Sequence, residues 1–197
     1  VEFWFDFSSP YAYLGSTRIE AVAAANGRAV AWKPFLLGAA FKVTGMQPGP
    51  AAPLRGAYVL HDAPRFGRLI GVPLRIPTTF PIPGVTPSRV ALWVERTRPD
   101  LTGAACRALL AAYFADDRDI SDPAVAGDVV GSLGLDPAAA AAATQDQAIK
   151  DALKAQVDEG LSRGVFGSPF VFADGEPFWG ADRLDHVDMW LKGRGRA

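Results

Sequence analysis

The hydrophobic pattern is densest at the start of the chain. Residues 3 to 7, Phe-Trp-Phe-Asp-Phe, are apolar on both faces apart from one acid, which predicts a strand covered on both sides. Ser8-Ser9-Pro10 ends that strand and opens a helix, with Ser9 a candidate N-cap and Pro10 suited to the first helical position. The helix is expected to run from Pro10 to about Asn26, with Gly27 as its stop. Val30 to Phe35 reads as a second strand. A strand–helix–strand opening favours a right-handed crossover and a parallel pair.

Residues 45 to 53, rich in Gly and Pro, break the pattern. Leu54 to Ile70 is predicted helical, strained or interrupted at Pro64. Five prolines between 71 and 87 predict an extended loop, a kind of segment that is often functional in a compact domain. Four helical segments follow, at about 87–98, 102–116, 122–133 and 137–163. Asp122-Pro123 and Asp136-Pro137 each look like a cap followed by a first-turn proline. Phe170–Phe172 and Pro177–Trp179 flank Asp174-Gly175, a hairpin signal, and a last helix runs from near Asp182 to about Lys192. The outer segments therefore read as one mixed sheet, interrupted by a helical block.

Composition narrows the chemistry. A hydrophobic content of 49% and a net charge of -1 fit a soluble globular protein and give no reason to expect nucleic acid or an anionic membrane as partner. No apolar run reaches the length of a membrane span. No signal peptide is expected, and a cytoplasmic location is the default. The single cysteine, Cys106, excludes an internal disulfide and a Cys-rich metal site. With two histidines, His61 and His186, no zinc site is expected. Cys106 sits in a helical apolar context and reads as buried and inert. Asp6, inside the first strand, reads as a buried hydrogen-bonded acid, with a tuned pKa as the sharper alternative. Ser9 stands at the positive end of a helix, where anions and polarised groups collect; a plain helix cap is the other reading.

Three pieces from opposite ends of the chain carry a resemblance: Ser9-Pro10-Tyr11-Ala12, Gly164-Val165-Phe166-Gly167-Ser168-Pro169-Phe170 and Trp179-Gly180-Ala181-Asp182-Arg183. Together they resemble the glutathione-dependent branch of the DsbA-like family, which comprises 2-hydroxychromene-2-carboxylate isomerases and kappa-class glutathione transferases. The resemblance extends over the whole chain. It implies an α/β fold, a thioredoxin-like mixed sheet with a large all-α insertion. Residues 1–45 and 163–197 would form the thioredoxin-like domain and 46–162 the inserted helical domain.

In the family's redox members Cys-x-x-Cys opens the first helix. The matching positions here are Ser9 and Ala12, so dithiol chemistry is lost and the resemblance points to glutathione as the source of sulfur. Ser9 would donate a hydrogen bond to that sulfur and is the candidate catalytic residue. Pro169 matches the family's cis-proline, which turns the main chain of Ser168 toward the cysteinyl unit. Trp179, Gly180, Ala181 and Asp182 match the segment that holds the γ-glutamyl end, and Lys42 is placed to meet the glycyl carboxylate. For the second substrate the candidates are Tyr11, Ser88 and Arg89, with Arg65, Arg68, Arg75 and Tyr58 also considered. The chain departs from the family in having no asparagine after Asn26, where relatives place glutathione- and substrate-binding asparagines. Pro87 stands at one such position.

What the resemblance implies is a glutathione-dependent cis-trans isomerase acting on an aromatic conjugated carboxylate, with relatives suggesting a homodimer. The alternatives are a kappa-type transferase or peroxidase and a non-catalytic glutathione-binding module.

Overall fold

The computed structural model describes residues 1–47, 49 and 52–195. Its sheet has four strands: β1 (Glu2–Phe5), β2 (Ala31–Pro34), β3 (Phe170–Ala173) and β4 (Glu176–Trp179), in the order β2-β1-β3-β4. β1 pairs parallel to β2, with Phe3 opposite Trp32, and antiparallel to β3, with Trp4 opposite Phe170. The two ends of the chain thus meet in the middle of one sheet. The β3–β4 hairpin turns through Asp174 (φ 52°) and Gly175 (φ 88°). Two consecutive left-handed residues match the twist of a tight hairpin, which is why Asp-Gly signals it.

The helices are α1 (Pro10–Ser16), α2 (Ile19–Ala25), α3 (Leu37–Thr44), α4 (Arg55–Ile70), α5 (Val85–Thr97), α6 (Thr102–Phe114), α7 (Pro123–Gly131), α8 (Pro137–Ala143), α9 (Gln147–Ser162) and α10 (Leu184–Leu191). Strand alternation divides the core. Phe3 and Phe5 pack on one face with Trp32, Leu14 and the α6 residues Leu109 and Tyr113. Trp4 packs on the other face with Phe35, Phe170 and the α9 residues Ile149 and Leu153. α9 crosses the sheet at Gly160, where a Cβ would come within 2.8–2.9 Å of the Phe35 and Trp4 rings. Gln156 of α9 adds a hydrogen bond to the Pro34 carbonyl at 2.5 Å.

Three elements differ from the sequence expectation. The first helix breaks between α1 and α2. The Ser16 and Thr17 hydroxyls donate to the Tyr13 and Leu14 carbonyls (2.7 and 2.8 Å), so side chains compete for the acceptors that would continue the helix. The expected helix 137–163 divides into α8 and α9, because Asp146 caps a new start by accepting from the Ala148 and Ile149 amides. The third difference is α3: no helix is expected between the second strand and the break at 45–53, and Leu37–Thr44, with Lys42, is helical. Pro64 lies within a continuous α4. Pro48, Pro50 and Ala51 of the expected break at 45–53 lie outside the described residues. Among the described residues no helix is long and apolar enough to cross a membrane.

Candidate active site

The end of β1 feeds the turn Asp6–Ser9, and α1 starts immediately after it. Ser9 is the N-cap, extended at φ -97° and ψ 114°, and its Oγ accepts from the Ala12 amide at 3.2 Å. The same hydroxyl donates to the Ser168 carbonyl at 2.9 Å. Ser168 returns the link, its Oγ accepting from the Asp6 amide at 2.8 Å. The Ser168–Pro169 peptide is cis, as the motif implies. Local sequence therefore makes the cap, and the pairing of β1 with β3 brings Ser168 beside it from 159 residues away.

Two cavities flank this centre. The first, about 740 Å³, is walled by apolar side chains of α3, α4, α9 and the 80–85 segment, among them Leu36, Phe41, Val59, Phe80, Ile82 and Leu161. Its polar lining is Asp6, Ser8, Ser9 and Lys42. The Ser8 hydroxyl is buried and has no hydrogen-bond partner among the described residues. Asp6 is buried, and burial raises its carboxyl to about 6 against the lowering effect of hydrogen bonds from the Ser8 and Leu37 amides.

The second cavity, about 650 Å³, lies on the other side, lined by Tyr11, Asp62, Arg65, Phe66, Leu69 and the run from Trp179 to Arg183. Asp62 accepts from the Tyr11 hydroxyl at 2.7 Å and pairs with Arg65. Burial and the neighbouring Asp62 carboxylate push the Tyr11 phenol well above its usual range, so it acts as a donor. In the 180–182 turn the Gly180 amide is already bonded to the Pro169 carbonyl at 3.0 Å. In the short helix Ala181–Arg183 the Arg183 amide donates to the Gly180 carbonyl at 3.2 Å, and the Ala181 and Asp182 amides stand ahead of that first helical bond.

The candidates named from sequence thus divide by place. Ser9 and Lys42 line the first cavity; Tyr11, Trp179, Gly180, Ala181 and Asp182 line the second. Ser168 and Pro169 line neither, and Ser168 is joined to the first cavity through its bond to Ser9. Ser88 is fully buried in α5. Arg89 reaches away to donate to the Thr144 carbonyl at 2.8 Å, at the end of α8. Of the other arginines, Arg65 faces the second cavity, Arg75 pairs with Asp117 at 2.6 Å and Arg68 is exposed. Tyr58 is exposed and bonds Asp62 at 3.2 Å. Cys106 is buried in α6, and burial raises its thiol.

Sequence reasoning missed the apolar wall from α3, the acid Asp62 and the second cis peptide, Phe80–Pro81. The proline-rich run had marked the loop that supplies Phe80 and Ile82. Nothing local marked Asp62.

A family model described as a DSBA-like thioredoxin domain matches residues 1–192. The chain belongs to the DSBA-like thioredoxin domain family. Relatives whose names match the resemblance carried by the three motifs align with nearly the whole chain. A 2-hydroxychromene-2-carboxylate isomerase from Sphingobium xenophagum is 26% identical over 195 residues, covering 97% of each chain. A glutathione S-transferase kappa 2 from Caenorhabditis elegans is 24% identical over 204 residues, covering 97% of this chain and 91% of that one. The solved structure of a selenomethionine 2-hydroxychromene-2-carboxylate isomerase matches with a TM-score of 0.85 at 22% identity, over 98% of this chain and 94% of that chain. This chain opens its first helix with Ser9 and Ala12 and has no dithiol there.

Proposed function

We propose that this protein is a glutathione-dependent isomerase of the 2-hydroxychromene-2-carboxylate isomerase type, acting on a conjugated aromatic carboxylate. The observation that carries the reading is the Ser9 hydroxyl, which lines a large apolar cavity and is bonded to the Ser168 main chain. The chain supplies no sulfur of its own there, since its one cysteine is buried in α6.

The residues present fit glutathione. The Ser8 hydroxyl, at the wall of the first cavity, is buried without a partner among the described residues. Lys42 offers a cation to the glycyl carboxylate. The amides that open the Ala181–Arg183 turn, with Asp182, offer an anion-and-cation site for the γ-glutamyl end. When bound, glutathione would supply the thiol that adds reversibly to a conjugated carbon, so that the former double bond rotates before elimination.

The chain's own work is orientation and charge placement. Ser9 now donates to the Ser168 carbonyl. A ligand amide paired to that carbonyl would free the Ser9 proton for the sulfur, favouring the charged thiolate. The apolar walls exclude water from the reacting carbon.

One observation favours a second reading, a kappa-type transferase. Among the described residues Lys42 is the sole cation lining the first cavity, and Arg65, Arg68, Arg75 and Arg89 all stand elsewhere. If Lys42 is engaged by the glycyl carboxylate, an uncharged electrophile fits the remaining space better than a second carboxylate. Steady-state turnover of 2-hydroxychromene-2-carboxylate with and without glutathione, beside conjugation of 1-chloro-2,4-dinitrobenzene, separates the two. Isomerisation that requires glutathione supports the first reading; conjugation alone supports the second. Neither reaction at millimolar glutathione removes both.

A further inference from the structure

Asp6 joins three walls of the first cavity at once. Its Oδ1 accepts from the Ser8 amide at 2.7 Å, on the turn that carries Ser9. Its Oδ2 accepts from the Leu37 amide at 2.7 Å, at the first turn of α3. Its own amide donates to the Ser168 hydroxyl at 2.8 Å. Its carboxylate also lies against Gly84, where a Cβ would come within 2.9 Å of Oδ1, at the entry to α5. α3 has Leu36 at its N-cap position and no cap from a neighbouring side chain, so the acid of a distant strand takes the amide that a local Ser or Asp would ordinarily satisfy. Lys42 rides on that helix.

We propose that Asp6 is a positioning residue: its carboxylate seats α3 against the Ser8–Ser9 turn, so that Lys42 and Ser9 act on the same ligand. For the identity of that ligand the inference rests on the glutathione reading above. The two amide bonds need a carboxylate. An asparagine would turn its NH2 toward one of the two donors, and a protonated acid would turn its O–H there. Burial holds the carboxyl at about 6, so the seat loosens in mildly acidic solution. Among the described residues no cation pairs with Asp6. The titratable groups facing its surroundings are Lys42 of α3, on the same cavity, and Tyr113 of α6, whose phenol senses the Asp6 charge and donates to the Thr79 carbonyl.

The test follows the Ser8 and Leu37 amides by 1H–15N NMR from pH 4.5 to 7.5 in the full chain, together with calorimetric titration of glutathione over the same range. The two amides are expected to shift together with one midpoint near 6. Glutathione affinity should fall about tenfold from pH 7 to pH 5, following the ionised fraction of a group with that midpoint. Asp6→Asn should abolish the joint titration and leave a weak affinity that no longer varies with pH. His61 and His186 line neither cavity. The wild-type titration decides the matter even where Asp6→Asn folds poorly. Amides that titrate apart or stay still, or a glutathione affinity flat across the range, would overturn the positioning role while leaving the glutathione reading intact. If glutathione binds at no pH, the glutathione reading fails, and the joint or separate movement of the two amides still decides whether Asp6 couples α3 to the Ser9 turn.

Discussion

Ser9 shows how one hydroxyl serves two structures. As a cap it satisfies the Ala12 amide, and as a donor it holds the Ser168 carbonyl. Ser9→Ala is expected to keep the fold, with a loss of about 1 kcal/mol of cap stabilisation. If the hydroxyl bonds a thiolate only during reaction, a charged hydrogen bond of about 1.5–3 kcal/mol corresponds to a loss of roughly 10- to 150-fold in kcat, with little change in glutathione Kd. Unchanged turnover, with coincident ultraviolet thiolate titrations for the two proteins, would leave Ser9 a cap alone. Asp6 makes an independent prediction on stability. Its folded carboxyl, at about 6 against 3.8, holds a proton more tightly than in the unfolded chain. Its contribution to stability is therefore full below pH 3.8 and lost as pH rises through 6. The difference in unfolding free energy between wild type and Asp6→Asn should shift by about 3 kcal/mol across that window, to the disadvantage of the wild type at pH 7. Denaturant unfolding at a series of pH values reads it directly, and a constant difference would contradict the buried charge.

At the scale of elements, legibility followed the distance between a signal and its partner. The start of α1 was readable because Ser9 and Pro10 lie next to the helix they open, and the β3–β4 hairpin because Asp174 and Gly175 contain the turn they make. α3 was not readable, because its cap is Asp6, 31 residues upstream, and nothing around Leu36 announces a helix. The break between α1 and α2 was obscured because Ser16 and Thr17 are compatible with a helix until their hydroxyls turn back on it. The second cavity was half legible. The Trp179–Arg183 turn came from a motif, whereas Asp62 enters from α4 through a contact to Tyr11 across 51 residues. The crossing of α9 over the sheet offers a quantitative check. Gly160→Ala gains helix propensity of up to about 1 kcal/mol but drives a methyl into the Phe35 and Trp4 rings, both fully buried. Overpacking costs about 1–3 kcal/mol, so net destabilisation is expected in urea unfolding. A variant as stable as wild type would mean that α9 can move off the sheet at little cost.

At the scale of the molecule, the helices between β2 and β3 share a core with the sheet rather than merely resting on it. Phe3 and Phe5 of the central strand lie in one cluster with Leu109, Leu110 and Tyr113 of α6 and Val130 of α7. α9 closes the opposite face over Trp4 and Phe35. A division at residues 45 and 162, as drawn from sequence, would cut through both clusters and expose β1 on two sides. The 1–45 and 163–197 segments would keep Leu14, Trp32 and Phe35 against it but lose the cover of α6 and α9. The helical block and the sheet are accordingly expected to unfold as one cooperative unit. Cys106 provides a reporter for this. It is fully buried in the shared cluster, and burial raises its thiol, so it is inert while the cluster stands. On heating or in urea, reaction of Cys106 with a chromogenic disulfide should follow the same midpoint as the far-ultraviolet circular dichroism and the tryptophan fluorescence of Trp4 and Trp32. Calorimetric and van't Hoff enthalpies should agree. A thiol that becomes reactive well before the sheet tryptophans report unfolding, or two resolved heat-absorption peaks, would show that the inserted helices are a separately folding domain and that the shared core contributes little to their stability.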